Sequence, residues 1–81
     1  MEIKKWAVEY SHKDGRKGKV HLTTEVSKSN AFEYGNGKHG TLAIDDDQVQ
    51  SYDLRYCNEE DLHMAMIKDF FGDGLVSAIA V

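Results

Sequence analysis

Apolar residues in the first third of the chain recur at every second position. Trp6, Val8 and Tyr10 alternate with Ala7, Glu9 and Ser11, and Val20, Leu22, Thr24 and Val26 alternate with His21, Thr23 and Glu25, the period of half-buried strands. The two segments predict a β-hairpin. Its connection, His12 to Lys19, is rich in turn formers, with Asp14-Gly15 as the tight turn and Gly18 as a bulge. From Ser27 to Gly40 two readings stand: Phe32 and Tyr34 as a third strand entering an Asn36-Gly37 turn, or a single helical turn starting at Ser29. Gly40 to Ile44 reads as a return strand that ends in the acidic loop Asp45-Asp46-Asp47. Gln50, Tyr52, Leu54 and Tyr56 then alternate as another strand with its aromatics toward the core.

The period changes after Asn58. Asn58 is a favoured N-cap type, Glu59, Glu60 and Asp61 place negative charge over the first turn, and Gly72 and Gly74 supply a stop, so a helix is expected over about residues 59–71. Leu62, Met64, Met66, Ile67, Phe70 and Phe71 fan across roughly 200° of its circumference, where a helix lying on one sheet face needs little more than about 100°. The surplus apolar surface calls for a strongly curved sheet, a second protein chain, or loops over Met64 and Phe71. Leu75 to Val81 closes the chain as a strand apolar on both faces, which argues for a buried rather than an edge position. Ile79, Ala80 and Val81 should pair in the sheet or across a subunit boundary.

Together these elements predict an α+β fold: a mainly antiparallel sheet of about four to six strands, one helix across one face, and a C-terminal strand. At 81 residues and 9.2 kDa, residues 1–81 form a single domain with a small core. One cysteine permits no disulfide within the chain and suits a reducing compartment. No apolar run is long enough for a membrane span or a signal peptide, so a soluble, cytoplasmic protein is expected. The net charge of −4 is uneven: residues 1–40 carry eight Lys or Arg against five Asp or Glu, and residues 41–81 carry two against nine. Such halves predict a polarised surface if they do not interleave.

Three segments, Asn30-Ala31-Phe32-Glu33-Tyr34-Gly35-Asn36-Gly37, Tyr52-Asp53-Leu54-Arg55-Tyr56-Cys57 and Asp69-Phe70-Phe71-Gly72, resemble pieces of the small uncharacterised proteins of enterobacterial phages and prophages. Such proteins share no catalytic motif, so no functional residue carries over. The resemblance implies a habit of function, binding and redirecting a host protein.

Candidate chemistry is sparse. Four histidines and Cys57 are present, but no close pair presets two corners of a zinc tetrahedron, and Asp45 to Asp47 lacks the spaced oxygens of a calcium loop, so neither a metal nor a cofactor is expected. His63 falls near the middle of the apolar arc, where a neutral imidazole needs a hydrogen-bond partner. Cys57 with His63 and Asp53 is conceivable as a nucleophile, base and orienting group, yet nothing in the spacing demands it. No catalytic residue is assigned. Two interaction readings remain. In the first, a non-enzymatic protein binds a host-encoded partner or itself through the acidic residues Asp45, Asp46, Asp47, Asp53, Glu59 and Glu60 and the helix surplus of Met64, Ile67 and Phe71. In the alternative, Lys13, Arg16, Lys17 and Lys19 of the first hairpin track a nucleic-acid backbone beside Trp6 and Tyr10.

Overall fold

The alternation of residues 6–26 becomes two long strands, β1 (Glu2–Ser11) and β2 (Lys17–Lys28), paired antiparallel from Glu2 opposite Val26 to Ser11 opposite Lys17. The computed structural model describes residues 1–28 and 37–81; both readings of residues 29–36, strand and helical turn, fall outside the described residues. At the hairpin tip Gly15 has a φ of 89°, and the His12 N–H donates to Arg16 O at 2.7 Å. The expected turn is therefore present. Gly18 is not a bulge, because it sits in unbroken register opposite Tyr10. It is a glycine for another reason: a Cβ there would press into the Tyr10 ring.

β3 (Lys38–Ile44) and β4 (Asp47–Asp53) form a second hairpin whose two central residues, Asp45 and Asp46, have φ of 52° and 67°. Two positive φ values are what a type I′ turn requires, and its twist matches that of the flanking strands. β4 ends earlier than the alternation through Tyr56 predicts. The Asp53 carboxylate accepts from the Arg55 backbone N–H at 3.1 Å and from its guanidinium at 2.6 Å, and the Cys57 N–H donates to Leu54 O, so the chain turns. Tyr56 is thrown outward, 69% exposed, with the Arg55 guanidinium 5.6 Å from its ring centre.

The helix, α1 (Leu62–Phe71), starts three residues later than expected. Its cap is Asp61, whose Oδ1 accepts the Met64 N–H at 3.1 Å, and Asn58, Glu59 and Glu60 stand outside it. The stop is as read: Gly72, at a φ of 57°, donates its N–H to Lys68 O. A 3₁₀ turn, Gly72–Gly74, leads into β5 (Leu75–Ala80).

All five strands make one antiparallel sheet in the order β4-β3-β2-β1-β5, with α1 across one face. β5 is thus an edge strand, not the buried one that its composition predicts. Among the described residues it pairs with β1 alone, and Val76, Ile79 and Val81 are exposed.

Under α1 the core falls into two clusters, Trp6, Val8, Leu22, Leu42 and Ile67 in one and Val26, Leu54, Leu62 and Met66 in the other. Gly40 lets β3 approach the helix, since a Cβ there would collide with Met66 Sδ and Leu54 Cδ1. The wide apolar arc of α1 is absorbed within the single chain. Ile67 is fully buried, Met64 and Phe71 pack on the first cluster, and Phe71 stacks on Tyr10 with ring centres 5.4 Å apart. Phe70, at 38%, is the most exposed member of the arc.

Candidate functional site

Thr24 lies on β2 between Leu22 and Val26, one from each cluster, and carries the polar seam between them. Its Oγ1 accepts the Trp6 indole N–H at 2.8 Å and stands 2.7 Å from His63 Nδ1. The contact is a hydrogen bond in either direction, the hydroxyl donating to a bare Nδ1 or accepting from a protonated one, because Oγ1 keeps a second lone pair beside the one that takes the indole proton. His63 is 3% exposed. Its Nε2 is 3.0 Å from Glu2 Oε1 but off the hydrogen-bond axis, so the contact is close without being an aligned bond. The arrangement clasps β1, β2 and α1 together.

Cys57 does not join that ring, and the Thr24 hydroxyl that does is fully buried and bonded to the Trp6 indole. Cys57 and Asp53 line a separate cleft of about 310 Å³, whereas His63 faces one of about 660 Å³ with Glu2, Lys4, Lys28, Lys38 and Glu60. Asp53 is engaged by Arg55, whose guanidinium holds its carboxyl below the ordinary range. Among the described residues no group of three His, Cys, Asp or Glu side chains gathers around a common point.

The acidic residues of the sequence reading do not form one face. Asp45 to Asp47 sit at one end of β4 and Asp53 at the other, about 20 Å away for a strand of this length, while Glu60 and Asp61 share the larger cleft with lysines of the first half. Positive and negative halves therefore interleave there. The basic hairpin fares no better as a nucleic-acid platform. Lys13, Lys17 and Lys19 are exposed, but Arg16 is paired with Asp14 at 2.6 Å, Trp6 is buried, and Tyr10 is stacked on Phe71. Trp6 is thereby withdrawn from the lysines, and one face of Tyr10 is taken by Phe71.

Among the described residues two sheet edges lack a neighbour, the outer sides of β4 and β5, and that of β5 is the uncharged one. The Val81 N–H donates to Lys5 O at 2.9 Å, and the register sets Ile79 opposite Ala7 and Ala80 opposite Trp6. Hydrogen-bonded and non-hydrogen-bonded pairs alternate in an antiparallel ladder, so the backbone groups of Val81 and Ile79 face β1 while those of Ala78 and Ala80 face outward. Their side chains divide the other way. Ala78 packs toward the core, and Ile79, 63% exposed, lies on the face away from α1 beside Ala7, with Val81 and Ile3 exposed nearby. No charged residue occurs from Leu75 to Val81.

The sequence reading put this strand in the interior because an uncharged apolar run looks like a buried strand, while allowing that Ile79 to Val81 pair across a subunit boundary. The signal that could have found it was the same run, read as a strand wanting a neighbour on both sides. Comparison of the chain with protein-family models, with curated proteins and with solved structures finds no match. Among the described residues no helix is long and apolar enough to cross a membrane.

Proposed function

We propose that this chain is a non-enzymatic protein-interaction domain whose working surface is the free edge of β5, where it takes up an extended, uncharged strand. The observation that carries the reading is an edge strand with outward backbone groups at Ala78 and Ala80 and no charge or proline to ward off a partner. Edge strands in proteins that stay single are blunted by lysine, proline or bulges along their length. β5 has one bulge, at Val76, which is skipped between the Glu9–Ser77 and Tyr10–Leu75 pairs, and it leaves Ser77 to Ala80 in regular register. Strand addition draws affinity from the backbone ladder and specificity from alternate side chains, which suits a small domain with little apolar surface to spare. The lone cysteine fits a cytoplasmic setting, and the resemblance to small phage and prophage proteins fits a protein that works by binding, a host protein included.

A synthetic peptide of residues 74–81 titrated into the labelled protein tests the reading. Amide shifts confined to β5 and its β1 neighbours, with new exchange protection at Ala78 and Ala80, are expected. Shifts elsewhere, or none at millimolar peptide, contradict it.

A further inference from the structure

We infer that the strand taken up by β5 is the β5 of a second copy of this chain, joined antiparallel about a two-fold axis through Ile79 so that two five-stranded sheets become one of ten. The inference rests on the proposed use of this edge and adds the identity of its occupant.

The register follows from which backbone groups are free. Only Ala78 and Ala80 present outward N–H and C=O groups within the regular part of β5, as the bond from Val81 to Lys5 fixes the alternation. An antiparallel partner satisfies both residues at once when Ala78 of one copy lies opposite Ala80 of the other. This places Ile79 against Ile79 of the second copy as a non-hydrogen-bonded pair, the kind whose side chains lie closest. The 63%-exposed isoleucine then gains the apolar neighbour that its own chain denies it.

Three further features favour a second copy over an unrelated strand. First, the neighbour of Ile79 on β1 is Ala7, so the two residues of its row next to the join are apolar, with His21 on β2 beyond them. Second, Lys5 lies in the row of Val81 and Glu9 in the row of Ser77. The join sets Val81 opposite Ser77 of the second copy, so a row carrying a lysine continues into a row carrying a glutamate, and the reverse holds on the other side of the axis. The charges nearest the join in each row, Lys5 of one copy and Glu9 of the other, are opposite in sign, with Lys19 one strand further on beside Glu9. Third, Ala78 and Ala80 are small enough on the helix-covered side to bring no bulk against the second copy. A two-fold join of this kind is isologous and closes on itself, whereas pairing β5 with β4 of another copy is head-to-tail and propagates as a fibre. β4 discourages that outcome with Asp47, Gln48, Gln50 and Asp53 along its length and an irregularity in its register with β3.

The test is a cysteine at the axis. In a Cys57→Ser background, Ile79→Cys brings two Cα atoms to about 4.5 Å in a non-hydrogen-bonded pair, inside the range a disulfide spans. Mild oxidation should link most of the protein as covalent dimers, while Ser77→Cys in the same background, two residues off the axis, should link at least tenfold less. Light scattering of the unmodified chain should give twice 9.2 kDa, and Ile79→Lys should return it to one mass with its melting temperature and circular dichroism preserved. A monomer at millimolar concentration, or a dimer indifferent to both substitutions at Ile79, overturns the inference. If the chain is monomeric yet still binds the peptide of residues 74–81 along β5, the inference fails while the edge reading stands; if neither occurs, both fail.

Discussion

The two edges of this sheet are built from the same backbone and treated in opposite ways. β4 carries carboxylates at both ends, glutamines between them, a register irregularity, and a tight turn of two aspartates held at positive φ. β5 shares the register irregularity, at Val76, but carries no carboxylate, no glutamine and no turn at positive φ. A chain that guards one edge and leaves the other plain is not short of the means to guard both, so the plainness of β5 reads as a use rather than an oversight. The contrast also separates stability from association. The central strands and α1 hold the core clusters, to which β5 adds Leu75 and Ala78, and the exposed Ile79 side chain lies outside them.

The largest effect that sharpens this division lies at the seam. Thr24→Val keeps the shape but leaves the Trp6 indole N–H and His63 Nδ1 without a partner, and should cost about 2–4 kcal/mol of unfolding free energy in a denaturant titration. Association of the folded fraction should not change. Gly40→Ala, on β3 beside the guarded edge, forces a methyl against Met66 and Leu54 and should cost about 1–3 kcal/mol by the same titration. A loss of dimer in proportion to stability in either variant would break the separation.

At the edges themselves one charge should act in two ways. Ile79→Lys on β5 should weaken association at least tenfold in sedimentation while changing stability by less than about 0.5 kcal/mol; Ser51→Lys, an exposed position on β4, should leave both unchanged. Asp46→Gly should stabilise the β4 side by about 0.5–1 kcal/mol, because glycine relieves the positive φ.

The smallest effects are pH-dependent and belong to β4. The Asp53 carboxyl is held low by the hydrogen bonds from Arg55. Its contribution is therefore present above its unfolded value of about 3.8 and lost as pH falls through the depressed one. Tyr52 behaves in the opposite sense. Burial first, and then the neighbouring Asp69 carboxylate, raise its phenol above 10, although its buried hydroxyl has no aligned hydrogen bond. Its contribution is full below pH 10 and is lost as pH rises through the raised value. Melting temperatures across pH should show both slopes, and Arg55→Ala and Tyr52→Phe should remove them one at a time. No titratable side chain lies on β5.

The sequence carried the strands of the two hairpins, the turn at Gly15, the helix and its stop at Gly72, because each is a local matter of period and capping. The helix start slipped from Asn58 to Asp61 because two residues of similar capping strength compete and only packing decides between them. His63 was legible as a buried imidazole needing a partner, but that the partner is Thr24, already bonded to Trp6, depends on contacts 39 and 18 residues apart in the chain. The acidic residues suggested one face, and only the length of β4 shows that they lie at opposite ends. The edge position of β5 is a property of the whole strand order, and no window of residues contains it.

The most direct measurement is amide hydrogen exchange of the unmodified chain over a hundredfold range of concentration. The Ala78 and Ala80 amides, on the outer side of β5, should become protected as concentration rises, while the Ser51 amide, which the bond from Leu54 to Lys38 places on the outer side of β4, should exchange at one rate throughout. Concentration-dependent protection at Ser51, or its absence at Ala78 and Ala80, would contradict the division of the two edges.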